Sequence, residues 1–324
     1  MSFLKTTLDN PLSAEPHSLE LDDGVRLEFL ETGILQVTPA SKGQYRIVIS
    51  CGIHGNETAP IEMLEQLFSE IKSGALKAHN PLLLIIGNPP AANNASRFID
   101  ENLNRLFSGK HADSSSLEAQ RAQVIEGYVA EFYRQGDESR LHYDLHTAIR
   151  GSEFEKFAVY PYLHDRIWSK PQIAFLEQCG LQAILLSNKS AGTFSYFTSN
   201  EFGADSFTVE LGKVRKFGQN DMSKFEAALE GLRGLISGQQ SFNDAPTNIQ
   251  VFSVVEEVIK RSEHFKLHFP DDAKNFTAFA KGSVLASDID YEYRTQQNGE
   301  RFVFPITNVP IGQRAMLIVA PTTL

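Results

Sequence analysis

Cysteine is nearly absent: Cys51 and Cys179 are the only two in 324 residues. Two thiols so far apart in sequence do not make a disulfide scaffold, and free thiols in a reducing compartment are the simpler reading. Long apolar runs are missing as well. The densest, Leu82 to Ile86, is far too short to cross a bilayer. The N-terminal MSFLKTTLDN lacks a signal-peptide layout, so a cytoplasmic protein is expected. Positive charge is not in excess: 30 Lys and Arg against 40 Asp and Glu give a formal net charge of -10. That balance suits neither nucleic acid nor an anionic membrane, although a locally positive site for an anionic substrate stays open. Internal repeats and low-complexity segments are lacking too.

What is present is the composition of a globular chain, 42% hydrophobic and 22% charged, long enough for one large domain or two. Two short strands, Val25 to Glu31 and Ile34 to Thr38, can form a hairpin across Gly33. From Tyr45 the rhythm is that of buried strands alternating with amphipathic helices. Tyr45–Cys51, Leu82–Ile86, Leu141–Leu145, Phe157–Tyr160, Ala183–Ser187 and Phe207–Leu211 read as strands. Helices are expected from Pro60 to Ile71, Leu117 to Arg134, Trp168 to Cys179, and from near Ser223 to Ile236, the last with a Ser223/Glu226 capping box. A polar loop runs from Gly87 to about Ser116. After the linker-like Asn243-Asp244-Ala245-Pro246 the chain turns to strand-like runs punctuated by Gly282, Gly299 and Gly312. An α/β layer structure over residues 1–242 and a small, mostly β domain over 243–324 follow.

Four segments carry chemistry. Gly52-Ile53-His54-Gly55-Asn56-Glu57 lies between a buried strand and a helix, where α/β proteins place their ligands. The three-residue spacing lets a compact loop aim His54 and Glu57 at one point, and both are good zinc donors. A solvent-exposed turn is the ordinary meaning of such a pair standing alone. Asp144-Leu145-His146-Thr147 brings His146 to the end of another strand, as a third donor or as a hydrogen-bonded core histidine. Cys51 is a rival donor, but a buried thiol at a strand end is commoner. Three protein donors leave a position for water, the arrangement of a catalytic zinc. Glu210 ends an apolar strand, where a carboxylate either reaches water or serves a purpose. In the loop RFIDENLNRLF, Arg97, Asn104 and Arg105 are donors suited to a carboxylate, unless Asp100 and Glu101 occupy the arginines as salt-bridge partners.

Taken together and in this order, GIHGNE (52–57), GNPPA with RFIDENLNR (87–105), DLHT (144–147) and VELGK (209–213) resemble the zinc carboxypeptidase superfamily, in its branch of succinylglutamate desuccinylases and aspartoacylases. SAGTFSY (190–196) is similar to the desuccinylase subgroup. The resemblance implies a three-layer α/β/α sandwich around a mixed sheet, with the small β domain helping to wall the site. It implies one zinc ion per chain on His54, Glu57 and His146, with Glu210 as general base and acid. Arg97 would polarise the scissile carbonyl, and Asn104 and Arg105 would grip a substrate carboxylate. Two positions depart from the pattern. Asn102 stands where relatives often carry an Asp that orients a ligand histidine, and no Lys or Arg lies between Ser190 and Glu210, where aspartoacylases have an arginine.

The implied reaction is hydrolysis of N-succinyl-L-glutamate to succinate and glutamate, a late step of arginine breakdown. Alternatives are hydrolysis of another N-acyl amino acid such as N-acetylaspartate, a carboxypeptidase, or a non-catalytic binder of zinc or small dicarboxylates. Cobalt is a conceivable replacement for zinc. Lys189, Lys213 and Arg215 are candidates for the distant succinyl carboxylate, with surface solvation as the ordinary role of each.

Overall fold

The structure is a computed structural model that describes residues 2–324. It opens with helix α1 (Phe3–Asp9) and strands β1 (His17–Glu20), β2 (Arg26–Glu31) and β3 (Ile34–Thr38), and β2 and β3 pair antiparallel across Gly33 as expected. Strands and helices then alternate: β4 (Tyr45–Cys51), α2 (Thr58–Lys72), β5 (Leu82–Ile86), α3 (Pro89–Asn93), α4 (Leu117–Arg134), β6 (Ser139–Ala148), β7 (Phe157–Tyr160), α5 (Lys170–Gln178), β8 (Ala183–Leu186), α6 (Phe194–Phe202), β9 (Asp205–Lys213) and α7 (Glu226–Ile236). The last quarter is β10 (Gln250–Ile259), β11 (Lys266–Leu267), β12 (Ala278–Phe279), β13 (Val284–Asp288), β14 (Tyr291–Arg294), β15 (Glu300–Val303) and β16 (Arg314–Pro321).

Thirteen strands join one mixed sheet in the order β1-β2-β3-β5-β4-β6-β9-β7-β8-β10-β16-β15-β12, while β11, β13 and β14 form a small second sheet. The sheet does not stop at the linker. Gln250 to Ser253 of β10 pair in parallel with β8, so the C-terminal strands extend the central sheet. Alternation along the strands builds three layers. Ile47, Ile49 and Cys51 of β4 pack with α2 and α7 on one face, while Val48 points the other way, toward α4 and α6. In β6, Leu141, Tyr143 and Leu145 take the first face. His142, Asp144 and His146 fall on the second, where an apolar strand would place three more aliphatic residues.

Some local expectations need correction. Ser223 does not cap a helix: its hydroxyl donates to Asp221 Oδ1 at 2.6 Å within a 3-10 turn (Met222–Phe225), and α7 starts one residue later. Helix α5 is shorter than the Trp168–Cys179 expectation. The 87–116 loop is not structureless. It holds α3, capped by Asn88 Oδ1 on Ala91 N–H, and two 3-10 turns. Helices α1 and α6 and strands β1, β13 and β14 had no sequence counterpart, because short or polar elements give little periodicity to read.

One buried ion pair locks the layers near the start of β4. Arg46 Nε donates to Glu138 Oε2 at 3.1 Å and Nη1 to the Phe132 carbonyl at 3.1 Å, with the guanidinium 4.9 Å from the Phe132 ring centre. Removing one partner of such a pair strands the other charge. Arg46→Ala should therefore lower unfolding stability by about 3–5 kcal/mol, and Arg46→Met combined with Glu138→Gln should cost markedly less. Denaturant unfolding of both variants checks this; equal costs would mean that the pair contributes packing rather than charge balance.

Candidate active site

The polar stripe on the α4/α6 face of β4, β6 and β9 is where the site assembles. Register fixes it: Ser50 of β4 lies opposite Asp144 of β6, and His146 of β6 lies opposite Glu210 of β9. His146 and Glu210 sit within strands rather than beyond their ends, so the ladder holds their backbones. His54 and Glu57 come from the turn between β4 and α2. Gly52 enters that turn at φ +62. Gly55 is forced by proximity: a Cβ there would lie 2.1 Å from the Ala91 carbonyl carbon and 2.2 Å from the Ala92 nitrogen. Glu57 occupies the N-cap position of α2 yet makes no capping bond, which frees its carboxylate to turn inward.

His54, Glu57 and His146 are buried, and one donor atom of each lies within 4.8 Å of the others. Glu57 Oε2 accepts from Thr147 N–H at 3.0 Å and lies 2.9 Å from His146 Nδ1. Glu57 Oε1 accepts from Arg97 Nη1 at 2.9 Å and lies 2.8 Å from His54 Nδ1. That last contact is close but misaligned, and His54 Nδ1 is buried without a hydrogen bond. The far side of each ring faces an acceptor: His54 Nε2 is 3.0 Å from Asn102 Oδ1 and His146 Nε2 is 2.8 Å from Asp144 Oδ2, so each Nε2 carries a proton outward. Although burial opposes it, Asp144 and Glu57 raise the His146 pKa well above the usual range, so without a metal its Nδ1 is protonated too and donates to Glu57 Oε2, a proton that a metal ion would displace. Both Nδ1 atoms are thereby aimed at Glu57. Two imidazole nitrogens and a carboxylate converging, one of them unsatisfied, fit a zinc-type donor set. Asn102 thus takes the orienting position through its amide oxygen. Cys51 is not in the cluster; burial pushes its thiol well above the usual range.

Beneath this set runs a buried hydrogen-bond chain that sequence reasoning missed. Ser50 Oγ donates to Asp144 Oδ1 at 2.6 Å and therefore accepts from His142 Nε2 at 2.8 Å, while His142 Nδ1 accepts from Thr198 Oγ1 at 2.7 Å. Burial, only partly offset by Asp144, lowers the His142 pKa to about 4, so the ring is neutral and this donor order is fixed. Polar residues at every second position of apolar strands (142, 144, 146 and 206, 208, 210) were the available signal. Another missed residue is Glu118, buried in α4. Its carboxylate accepts from Asn88 Nδ2 and from the backbone N–H of Ile99, Asp100 and Glu101, which pins the loop that carries the arginines.

Glu210 stands out by lacking partners. It is 8% exposed and its Oε2 is buried with no hydrogen bond. Burial first, then the nearby Glu57 and Asp144 charges, raise its pKa to about 7 against the pull of His146 and Arg97. Arg97 is not taken by Asp100 or Glu101. It reaches Glu57 with its side chain 34% exposed, at the site's open edge. Asn104 is buried, and its Oδ1 accepts from Phe194 N–H at 2.9 Å, tying the loop to α6. Arg105 donates to the Asn104 carbonyl at 2.7 Å and has no carboxylate partner among the described residues. Lys213 and Arg215 are exposed, and Lys189 pairs with Glu257 at 3.5 Å.

The pattern of the succinylglutamate desuccinylase/aspartoacylase catalytic domain matches residues 44–236, and that of the AstE/AspA barrel-sandwich hybrid domain matches residues 247–322. Among similar proteins, a succinylglutamate desuccinylase of Pseudoalteromonas atlantica is 49% identical over 323 residues, covering 97% of this chain and 92% of that protein. One of Pseudomonas paraeruginosa is 44% identical over 307 residues, with 93% and 92% covered. The solved structure of the Vibrio parahaemolyticus desuccinylase matches with a TM-score of 0.93 at 36% identity, covering 100% of this chain and 96% of that one. That of Chromobacterium violaceum matches at 0.90 and 38%, covering 100% and 98%.

The Glu210 pKa makes a stability statement. In the fold it is about 7, above the ~4.3 of an unfolded glutamate. Between those values the folded chain holds a proton that the unfolded chain has released, so the stability of metal-free protein falls as pH rises through this window. Glu210→Gln removes the penalty. In chelator, the variant should exceed the parent by on the order of 3 kcal/mol at pH 8, with the difference shrinking toward pH 5. Denaturation at both pH values reads this, and a pH-independent difference would show that Glu210 ionises without cost.

Proposed function

Because the chain belongs to the succinylglutamate desuccinylase/aspartoacylase family and is a hydrolase, we propose that it cleaves the amide bond of N-succinyl-L-glutamate to succinate and L-glutamate in the cytoplasm, with one zinc ion held by His54, Glu57 and His146. The observation that carries the chemistry is Glu210. A buried carboxylate without partners stands beside a converging donor set, and in the metal-free chain its pKa is raised to about 7; such a group suits proton transfer, and a mere metal binder has no need of it. The substrate reading is supported by the relatives described as desuccinylases, which align over nearly the whole chain.

Zinc, when bound, would supply Lewis-acid polarisation of the amide carbonyl and a more acidic water. Glu210 takes the proton from the attacking water and passes it to the leaving nitrogen, since an amide does not readily expel an unprotonated amine. Arg97, at the open edge, donates to the carbonyl oxygen as negative charge grows there. Asn104 has its Oδ1 engaged by Phe194 N–H, which leaves its Nδ2 as the donor toward substrate, next to Arg105. These two hold a substrate carboxylate in the ground state.

Chelation should abolish turnover and zinc should restore it; full activity in protein shown metal-free by elemental analysis would remove the metal from the reading. Glu210→Gln should retain zinc yet lose about 10²-fold or more in kcat. Hydrolysis of N-succinylglutamate should far exceed that of N-acetylaspartate, and a ratio near one would overturn the substrate while leaving the amide chemistry.

The two arginines should separate kinetically. Arg105→Ala should mainly raise KM, because a clamp binds ground and transition states alike, and Arg97→Ala should mainly lower kcat. Steady-state kinetics on both variants decide it: the same parameter falling equally in each would merge their roles.

A further inference from the structure

The two histidine donors are supported from different parts of the fold. Behind His146 stands Asp144, whose other oxygen accepts from Ser50, so that ring is braced by a carboxylate and by the sheet. Behind His54 stands Asn102, a neutral amide in the 87–116 loop. Its Oδ1 has a second donor: the backbone N–H of Asn104 reaches the same oxygen at 3.0 Å. One atom thus joins the ring of a metal donor to a peptide two residues further along the loop. Asn102 also opens the 3-10 turn Leu103–Arg105, and its carbonyl accepts from Arg105 N–H at 2.9 Å.

That turn carries the two residues read above as the grip on a substrate carboxylate. Its flanks are tied down elsewhere. Upstream, Glu118 holds the N–H groups of Ile99, Asp100 and Glu101. Downstream, Phe107 N–H donates to the Gly192 carbonyl at 3.2 Å, and a Cβ on Gly192 would lie 2.4 Å from the Arg105 carbonyl oxygen. Leu103 is buried in the core, so the turn does not swing as a whole. What remains to be set is the direction of its peptide groups and of the side chains at 104 and 105. Asn104 Oδ1 is fixed on Phe194 N–H at 2.9 Å, and Arg105 Nη1 on the Asn104 carbonyl at 2.7 Å. The Asn104 N–H has no acceptor other than Asn102 Oδ1 among the described residues.

We propose that Asn102 is a positioning residue that couples metal binding at His54 to the carboxylate grip at Asn104 and Arg105. The cause is electronic. A metal ion on Nδ1 draws charge from the imidazole, which makes its Nε2–H a stronger donor and tightens the bond to Asn102 Oδ1. The amide oxygen is then held, and with it the Asn104 N–H and the peptide that orients both grip residues. The coupling is reciprocal: an anion that orders the turn also fixes Asn102, and through it the His54 ring. This inference rests on the zinc reading proposed above and is independent of which acyl amino acid is cleaved.

The test measures amide hydrogen exchange and zinc affinity on the full-length parent, Asn102→Ala and Asn102→Asp proteins. In the parent, zinc should slow exchange of the Asn104 amide by about tenfold or more relative to protein kept in chelator. In Asn102→Ala, exchange at that amide should not respond to zinc. Zinc affinity, read by competition with a chromogenic chelator, should fall about 10- to 100-fold in Asn102→Ala. Asn102→Asp should keep or raise it, because Oδ1 still receives both donors and Asn102 Nδ2 makes no hydrogen bond among the described residues that the change would remove. The slowing of exchange and the loss of affinity should agree in size, since both read the same bond. On zinc-saturated protein, Asn102→Ala should raise KM for N-succinylglutamate more than it lowers kcat. If Asn102→Ala does not fold, Asn102→Leu, of similar volume and without an acceptor, reads the same quantities. A loss of zinc affinity in Asn102→Ala while exchange at Asn104 in the parent ignores zinc would mean that Asn102 only orients His54, and the coupling would be overturned. Unchanged zinc affinity in Asn102→Ala, or a fall in kcat at constant KM, would overturn it as well. A parent that binds no zinc would instead remove the metal reading and this inference with it. A parent that binds zinc without cleaving N-succinylglutamate would overturn the substrate reading alone, since exchange and affinity need no substrate.

Discussion

Three carboxylates, Glu57 from the turn before α2 and Asp144 and Glu210 from the central strands, meet with almost no contact with water, and the rest of the site is arranged around the cost of keeping them there. An isolated buried carboxylate either finds partners or takes up a proton. Asp144 is saturated by the Ser50 hydroxyl and the His146 ring, and Glu57 by the His146 ring, Arg97 and a backbone N–H. Although burial opposes it, those neighbours hold the Glu57 pKa well below the ordinary carboxylate range. Glu210 has no such company, and its pKa rises to about 7. One face of one sheet therefore carries carboxylates of very different proton affinity, and the least compensated is the one able to exchange a proton near neutrality.

The strand ladder makes these differences reproducible. A side chain on a loop could relax toward solvent, whereas residues 144, 146 and 210 are fixed by pairing on both sides of β6 and on β9. Their alternate neighbours, Leu145, Val209 and Leu211, pack in the opposite layer. A one-residue slip would bury apolar side chains at the metal donors and carboxylates among the leucines, so the hydrophobic pattern of the strands also protects the geometry of the site. The turn that supplies His54 and Glu57 is held differently, by the absence of a Cβ at Gly55 against α3.

Much of this was legible before any coordinates. The alternation of β and α segments, the His54/Glu57 spacing, and the placement of His146 and Glu210 on apolar strands are local signals, although both strands run on past these residues, and their order along the chain gave the resemblance its specificity. What could not be read were relations between distant residues of unremarkable type. Ser50 and His142, 92 positions apart, meet only because β4 and β6 are neighbours. Glu118 is an ordinary first-turn glutamate of a helix until the loop at 99–101 folds onto it. Ser223 and Glu226 have capping-box spacing, but Asp221 captures the serine hydroxyl first.

The linker at 243–246 reads in sequence as a boundary, yet the sheet runs through it, and this continuity bears on how the site meets an anion. Arg314 is joined to Glu210 by an unbroken run of hydrogen-bonded strands, β9-β7-β8-β10-β16. A cation carried on a freely moving second domain would pair with whatever carboxylate it met. On a shared sheet its backbone keeps a fixed place relative to Glu210. The net charge of -10 does not cancel Arg97 and Arg105, because charges beyond about 8 Å are largely screened at physiological ionic strength while close, partly desolvated ones are not. A long polyanion would extend past the arginines onto an acidic surface. Within the proposed reading, a small molecule bearing carboxylates on a short frame meets Arg97 and Arg105 alone, so an overall acidic chain and an anionic substrate are compatible at two length scales.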